Sequence, residues 1–186
     1  ERPSDASGRK TLALAPIGGG SSFYGGGERG YRLNLAGDTL VMYNRQNYGY
    51  TGNDPRIRQM NITMPLLVAP EGYGILMDDY AAAELVASNP LKYASETPGS
   101  LSYYFFASPE GMPGVASRVA DLTGHQDLPP FWALGYITSK YGYRTEAETL
   151  GVADSLRRAG YALDGMVLDL YWYGKEQDMG RLAWDP

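Results

Sequence analysis

Short runs of alternating apolar and polar residues, broken about every ten positions by Gly, Pro, Asn or Asp, fill the first 107 residues. Residues 33–35 and 39–43 alternate on either side of Gly37-Asp38 and predict a hairpin, and residues 64–68 and 74–77 predict another across Pro70-Glu71-Gly72-Tyr73. Residues 82–87, 91–94 and 101–107 add short strands separated by Asn89-Pro90 and Thr97-Pro98-Gly99, and the apolar run 11–15 adds one more. Many short strands at such spacing predict an antiparallel β-sandwich. Between the two hairpins, residues 44–58 form a long polar loop with Tyr48, Tyr50 and three arginines, and a loop of that length is either functional or disordered.

The texture changes at Ser108-Pro109-Glu110. Val115, Val119 and Leu122 recur at i, i+4 and i+7, and Gly124 stands where a helix would end, so residues 112–123 predict an amphipathic helix. Leu128-Pro129-Pro130 then breaks the chain, which sets a sandwich part over 1–107, a linker with this helix over 108–130, and a third part over 131–186. In that last part, the apolar run 131–137 predicts a strand. Thr145 with Glu148 predicts a capping box, Leu150, Ala153 and Leu156 an apolar stripe, and Arg157-Arg158 with Gly160 the helix end. Residues 166–170 are apolar except for Asp169, which predicts a buried strand with one carboxylate at its C-terminal end. The result is a βαβ unit, which demands a parallel sheet larger than two strands. Asp169 followed by Tyr171-Trp172-Tyr173 is the equipment of a sugar site at the mouth of a (β/α) barrel.

Composition narrows the chemistry. Net charge is −5 with scattered lysines and arginines, which gives no footprint for nucleic acid or an anionic membrane and favours a neutral partner. Sixteen tyrosines suit sugar stacking as well as sandwich packing. With no cysteine and one histidine, thiolate chemistry, a His-based metal centre and a Ser-His-Asp triad are not expected, and no metal or cofactor is assigned. No stretch reaches the roughly 20 apolar residues of a membrane span. The chain opens at Glu1-Arg2-Pro3 with neither initiator methionine nor signal sequence, so it is expected to be an internal piece of a longer protein.

Four local motifs have plain structural explanations. Gly25, Gly27 and Gly30 match a dinucleotide-binding loop, but an alternating strand pattern follows where that motif needs a helix. Asp78-Asp79 cannot act as a catalytic couple on a strand, where neighbours face opposite ways, and is expected to end the strand. Asn61-Ile62-Thr63 fits a glycosylation sequon that carries no weight by itself. His125, just past a helix end, reads as a capping or dipole contact.

Taken in order, Phe23-Tyr24-Gly25-Gly26-Gly27-Glu28, Leu122-Thr123-Gly124, Leu128-Pro129-Pro130-Phe131-Trp132-Ala133-Leu134-Gly135, Lys140-Tyr141-Gly142-Tyr143, the strand from Asp164 to Trp172, and Trp184-Asp185-Pro186 resemble glycoside hydrolase family 31. The run from Asp169 to Trp184 is most similar to the bacterial branch containing oligosaccharide 4-α-glucosyltransferases. The resemblance implies an α+β then α/β chain: part of a galactose-mutarotase-like sandwich followed by the first βαβ unit of a (β/α)8 TIM barrel. It also implies a parent enzyme that hydrolyses or transfers α-linked glucosyl residues through a covalent glycosyl-aspartate intermediate. The family's nucleophile motif, Trp-x-Asp-x-x-Glu-like, does not occur here, so no catalytic residue is assigned and this piece is expected to be inactive alone.

What the resemblance leaves to this chain is substrate positioning. Asp169 matches the aspartate that accepts hydrogen bonds from the 4- and 6-hydroxyls of the −1 sugar, and Tyr141 matches an aromatic wall of that subsite. The competing reading makes Asp169 an ion-pair partner of Lys140, and Trp172 is either a sugar contact or barrel filling. Where many bacterial relatives have Asn-Thr-Asp in the sandwich loop over the active site, this chain has Asn44-Arg45-Gln46, which leaves Arg45 and Tyr48 as replacements. The implied partners are an α-linked gluco-oligosaccharide and the remainder of the barrel, and a bacterial periplasmic, cell-surface or secreted location is favoured over the cytoplasm. The rival reading is a stand-alone carbohydrate-binding or interaction module on the sandwich.

Overall fold

A computed structural model describes residues 8–15, 22–46 and 54–185. The chain divides into two compact units, Glu1–His125 and Gln126–Pro186.

In the first unit, one antiparallel sheet orders its strands β1 (Lys10–Leu14), β7 (Leu91–Ser95), β6 (Ala83–Val86) and β3 (Thr39–Met42). The other orders β2 (Tyr24–Gly27), β4 (Thr63–Ala69), β5 (Tyr73–Asp78) and β8 (Ser102–Ala107). Alternate residues of β3, β6 and β7 are buried, and Leu40, Leu85, Leu91 and Tyr93 from this sheet join Leu67, Ile75 and Met77 from the other, with Phe23 just before β2, in one core. The second face of β5 is also covered, by helix α1 (Met112–Thr123), whose Val115 is fully buried. Gly74 makes that approach feasible: a Cβ there would stand 2.7 Å from Val115 Cγ1. Gly124 ends α1 with a left-handed φ and donates its N–H to the Ala120 carbonyl at 2.8 Å. Val119 is half-buried but Leu122 is exposed, so the apolar stripe covers only the first two turns.

The expected hairpin of residues 33–35 with 39–43 does not form. β3 pairs with β6 instead, in the register Thr39↔Val86 to Met42↔Ala83. Side chains hold residues 31–38 in a compact loop: Asn34 Oδ1 accepts from the Phe23 and Ala36 amides, and Asp38 takes both the Arg32 guanidinium and the Tyr31 hydroxyl, the latter at 2.6 Å. Such local bonds compete with a ladder, and the loop turns Leu33 to solvent (79% exposed) while burying Leu35.

The glycine run is itself a strand, β2, bulged against β4 between Gly25 and Gly27. Its backbone lies so close to its partner that a Cβ on Gly25 would sit 2.4 Å from the Leu66 carbonyl oxygen, and one on Gly27 2.4 Å from that of Ile62. Three carbonyls around the bulge, Gly26, Val41 and Arg58, accept from the Arg29 guanidinium. Burial lowers the pKa of that guanidinium against the opposing charge of Tyr31 and Asp38.

In the second unit β9 (Ile137–Lys140) and β10 (Gly165–Leu168) pair in parallel through helix α2 (Glu146–Arg158), with Leu168 opposite Lys140. The expected strand over 131–137 is displaced. Residues Phe131–Leu134 form a 3₁₀ turn in which Pro130 O accepts from Ala133 N, because Pro129-Pro130 presets the geometry of a helical start. β9 starts only where Asp164 clips it, Asp164 Oδ2 accepting from Tyr136 N at 2.9 Å and Tyr136 O accepting from Asp164 N at 2.9 Å. Gly135 admits this carboxylate, since a Cβ would lie 2.1 Å from Oδ2. Thr145 caps α2 by accepting from Glu148 N at 3.1 Å. The apolar stripe is shifted, however: Thr149, Val152, Ala153 and Leu156 are half-buried and Leu150 is exposed. The expected strand carrying Asp169 is shorter than its apolar run, since β10 stops at Leu168 and leaves Asp169 just beyond its end, and Val167 is 45% exposed.

Candidate functional site

Parallel pairing brings the C-terminal ends of β9 and β10 side by side, and with them the residues that follow each strand. Tyr141 leaves β9 one residue after Lys140, and Asp169 leaves β10 one residue after Leu168. Both are exposed, Tyr141 at 67%. Glu176 chiefly, then desolvation and the charges of Glu176, Tyr171 and Asp169, raise the pKa of the Tyr141 hydroxyl.

Lys140 does not reach for Asp169. Its ammonium is 2.8 Å from Glu148 Oε1 on α2, and the same Glu148 carboxylate accepts from Arg144 N through Oε2 at 2.9 Å. The Lys140 bond, with the Arg144 amide next, lowers the pKa of Glu148. Glu148 therefore completes its reach over the helix start at Arg144 rather than at the cap residue, and it holds the Lys140 cation. Among the described residues the Asp169 carboxylate accepts no hydrogen bond and joins no ion pair. An unpaired carboxylate of this kind is a pure acceptor with room for two donor hydroxyls.

The sequence pattern gives Tyr171 only as one ring of an aromatic run and misses its conformation and its partners. Tyr171 has φ 77°, the one left-handed non-glycine among the described residues. Its hydroxyl donates to Glu176 Oε1 at 2.8 Å, the Arg144 guanidinium lies 5.0 Å from its ring centroid, and its ring edge rests on Gly142. A Cβ on Gly142 would sit 2.1 Å from the Tyr171 ring. The signal available in the sequence was the pair Gly142 and Gly174, both left-handed here, flanking an aromatic run.

Behind this cluster Trp172 is half-buried and packs edge-on to Tyr173 (5.3 Å) and Trp184 (5.5 Å), and its carbonyl accepts from Asp185 N at 3.0 Å. Tyr173 and Tyr143 are buried beneath, the latter 3.4 Å from Thr138 Oγ1. The candidate Arg45 belongs to the first unit, where its Nη2 donates to Gln59 Oε1 at 2.8 Å and its guanidinium lies 5.9 Å from the Tyr43 ring. Gln59 Nε2 in turn donates to the Tyr43 carbonyl. Tyr48 lies outside the described residues. His125 pairs with Asp121 at 3.0 Å on the exposed end of α1. No group of three or more His, Cys, Asp or Glu among the described residues could hold a metal ion, and no helix among them is long and apolar enough to cross a membrane.

Two family models match the chain: the glycosyl hydrolase 31 N-terminal galactose mutarotase-like domain over residues 13–85, and the glycosyl hydrolases family 31 TIM-barrel domain over residues 126–186. An α-glucosidase 2 of Bacillus thermoamyloliquefaciens is 31% identical over 156 residues, covering 81% of this chain and 19% of the relative. An α-xylosidase of Saccharolobus solfataricus is 32% identical over 154 residues, covering 80% of this chain and 21% of the relative. The chain thus spans about a fifth of the length of these curated relatives. In fold it is similar to a GH31 dextranase from Flavobacterium johnsoniae, complexed with glucose, with TM-score 0.73 at 23% identity over 95% of this chain and 21% of that one. It is also similar to a xylosidase from Aspergillus niger, with TM-score 0.72 at 20% identity over 96% of this chain and 23% of that one.

Proposed function

From the premise that the chain belongs to glycoside hydrolase family 31, we propose that the protein cleaves α-linked glucosyl residues with retention, and that this chain positions the substrate. Its first unit carries the galactose mutarotase-like antiparallel sandwich and its second the start of the TIM-barrel domain. Barrel enzymes gather their substrate groups at the C-terminal ends of the strands, which is where Asp169 and Tyr141 stand. Retention requires a nucleophile and an acid/base roughly 5–5.5 Å apart, and no carboxylate described here is assigned either role. The chain's own contribution is earlier in the reaction. Asp169 accepts hydrogen bonds from two hydroxyls of the sugar that will be attacked, Tyr141 offers its ring as a wall, and Trp172 backs the loop that follows. The glycosyl-enzyme is then resolved by water or by a sugar hydroxyl.

The observation that carries this reading is that Asp169 is exposed beside Tyr141 with its carboxylate unclaimed, while Lys140 is held by Glu148. A structural role would need a partner. In the whole protein Asp169→Asn keeps the shape and exchanges an acceptor-only oxygen for an amide that donates toward a donor. The kcat/KM on α-glucosides should fall by roughly 2–4 kcal/mol, about thirty- to a thousandfold, with the melting temperature little changed. Near-normal kcat/KM with a sharply lower melting temperature would remove the assignment.

A further inference from the structure

We propose that Tyr171 is a positioning residue, whose ring, clamped between Gly142, Glu176 and Arg144, fixes the direction in which Asp169 and Tyr141 leave their strands. The inference deepens the reading above and rests on it. A tyrosine at φ 77° has left its ordinary backbone basin, a conformation that persists only where surroundings over-determine it. Here they do so from three sides. Gly142, at the start of the β9–α2 loop, lets the ring edge rest directly on its Cα, which no other residue type would allow. Arg144, two residues on in the same loop, places its cation over the ring face at 5.0 Å. Glu176, in the loop after β10, accepts the phenol hydrogen at 2.8 Å.

The three holders come from two different loops, one following each strand, so the ring ties those loops together. Tyr171 lies two residues beyond Asp169, and Gly174 N donates to the Tyr171 carbonyl at 3.0 Å, closing the turn that Asp169 enters. Gly142 is the immediate neighbour of Tyr141. Glu176, which accepts the Tyr171 hydroxyl, is also the main influence that raises the pKa of the Tyr141 hydroxyl. The ring therefore acts on the two sugar-facing residues without itself being assigned a substrate contact.

The test separates the ring from the backbone strain. Tyr171→Gly relieves the left-handed φ, since glycine adopts it freely, but deletes the ring. A residue that mattered only for the backbone would be neutral or favourable as glycine. A positioning ring predicts that kcat of the whole protein on α-glucosides falls about a hundredfold, with KM changed by no more than about twofold, because misplacement of the order of 1 Å acts on the transition state. Tyr171→Phe, which keeps the ring and loses the Glu176 bond, should cost about three- to tenfold in kcat. Gly142→Ala should cost clearly less kcat when added to Tyr171→Gly than in the wild-type background, since removing the ring removes the clash and leaves only the strain of alanine at a φ of 74°. Full kcat in Tyr171→Gly, or additive losses in the double variant, overturns the proposal. If Tyr171→Gly fails to fold, Tyr171→Phe with unchanged kcat overturns it instead. Asp169→Asn run alongside separates the two layers: inactivity of Asp169→Asn with full activity of Tyr171→Gly refutes the positioning role alone, whereas activity retained in Asp169→Asn removes both.

Discussion

Asp79 offers a sharp test of the sandwich. It follows β5 directly, yet its carboxylate is only 6% exposed and sits 3.1 Å from the Lys10 ammonium of β1, itself 10% exposed. Tyr93 of β7 donates to it at 3.3 Å and the Ala81 amide at 3.2 Å, so a single carboxylate ties the end of one sheet to two strands of the other. At that depth the figure for surface pairs, about 0–1 kcal/mol, does not apply. Asp79→Ala leaves an ammonium and a phenol buried without their acceptor and should destabilise the first unit by about 3–5 kcal/mol. Replacing both partners by apolar residues, Lys10→Met with Asp79→Leu, should restore most of the loss, because desolvation of both charges is then avoided. Partial burial raises the pKa of Asp79, but the bonds from Ser95, Lys10 and Ala81 outweigh it and hold it below the ordinary value of 3.8. The stability it supplies is thus fully present above the unfolded-state pKa and is lost as pH falls through the lower folded-state value. Thermal unfolding by far-ultraviolet circular dichroism at neutral pH and at about pH 3, for the parent chain, Asp79→Ala and the double variant, measures both effects. A loss below about 1 kcal/mol in Asp79→Ala at neutral pH would refute the buried-pair argument.

Other outcomes follow from single contacts. Gly74→Val should strip α1 from β5, lowering the melting temperature by the equivalent of about 1–3 kcal/mol of overpacking, and proteolysis within residues 112–123 would report it. In the whole protein, on the function proposed above, Lys140→Met should leave kcat/KM on α-glucosides within about twofold, since the ammonium serves Glu148; a loss as large as that of Asp169→Asn would contradict this placement. Thr145→Ala should cost about 1 kcal/mol of stability through the lost cap, measured by urea unfolding. The 186-residue chain by itself should bind a hydrophobic dye or associate, because Ile137 and Val167 on its two-stranded parallel sheet are exposed; a monodisperse, dye-silent chain would count against that.

Where periodicity and local chemistry agreed, the elements were legible in the sequence: the β4–β5 hairpin and helix α1 follow directly from the pattern. Where they disagreed, local chemistry prevailed. Leu33 and Leu35 alternate like a strand, but Asn34 and Asp38 offer the backbone and side chains better partners in a loop. The first four residues of the apolar run at 131–137 form a turn because two prolines precede them. Asp169 was visible through its isolation in an apolar run and through the family resemblance. The conformation of Tyr171 was not, since a left-handed tyrosine leaves no trace in hydropathy, and the glycine that accommodates it lies 29 positions earlier in the chain. The interplay of Lys140 with Glu148 was hidden for a similar reason, because Glu148 was already accounted for as a capping residue.

The edge-to-face pairing of Trp172 with Trp184 has an optical consequence. All three tryptophans of the chain, Trp132, Trp172 and Trp184, fall in the second unit, whereas the first contains tyrosine and phenylalanine as its only aromatic chromophores. Selectively excited indole emission therefore reports on the Gln126–Pro186 unit alone, and two indoles with centroids 5.5 Å apart are close enough for their transitions to couple in near-ultraviolet dichroism. The chain carries a built-in label for one half of itself. Comparing that emission with a backbone signal during a single denaturation separates the melting of the strand ends around Asp169 from that of the sandwich, and coincidence of the two curves would mark one cooperative transition.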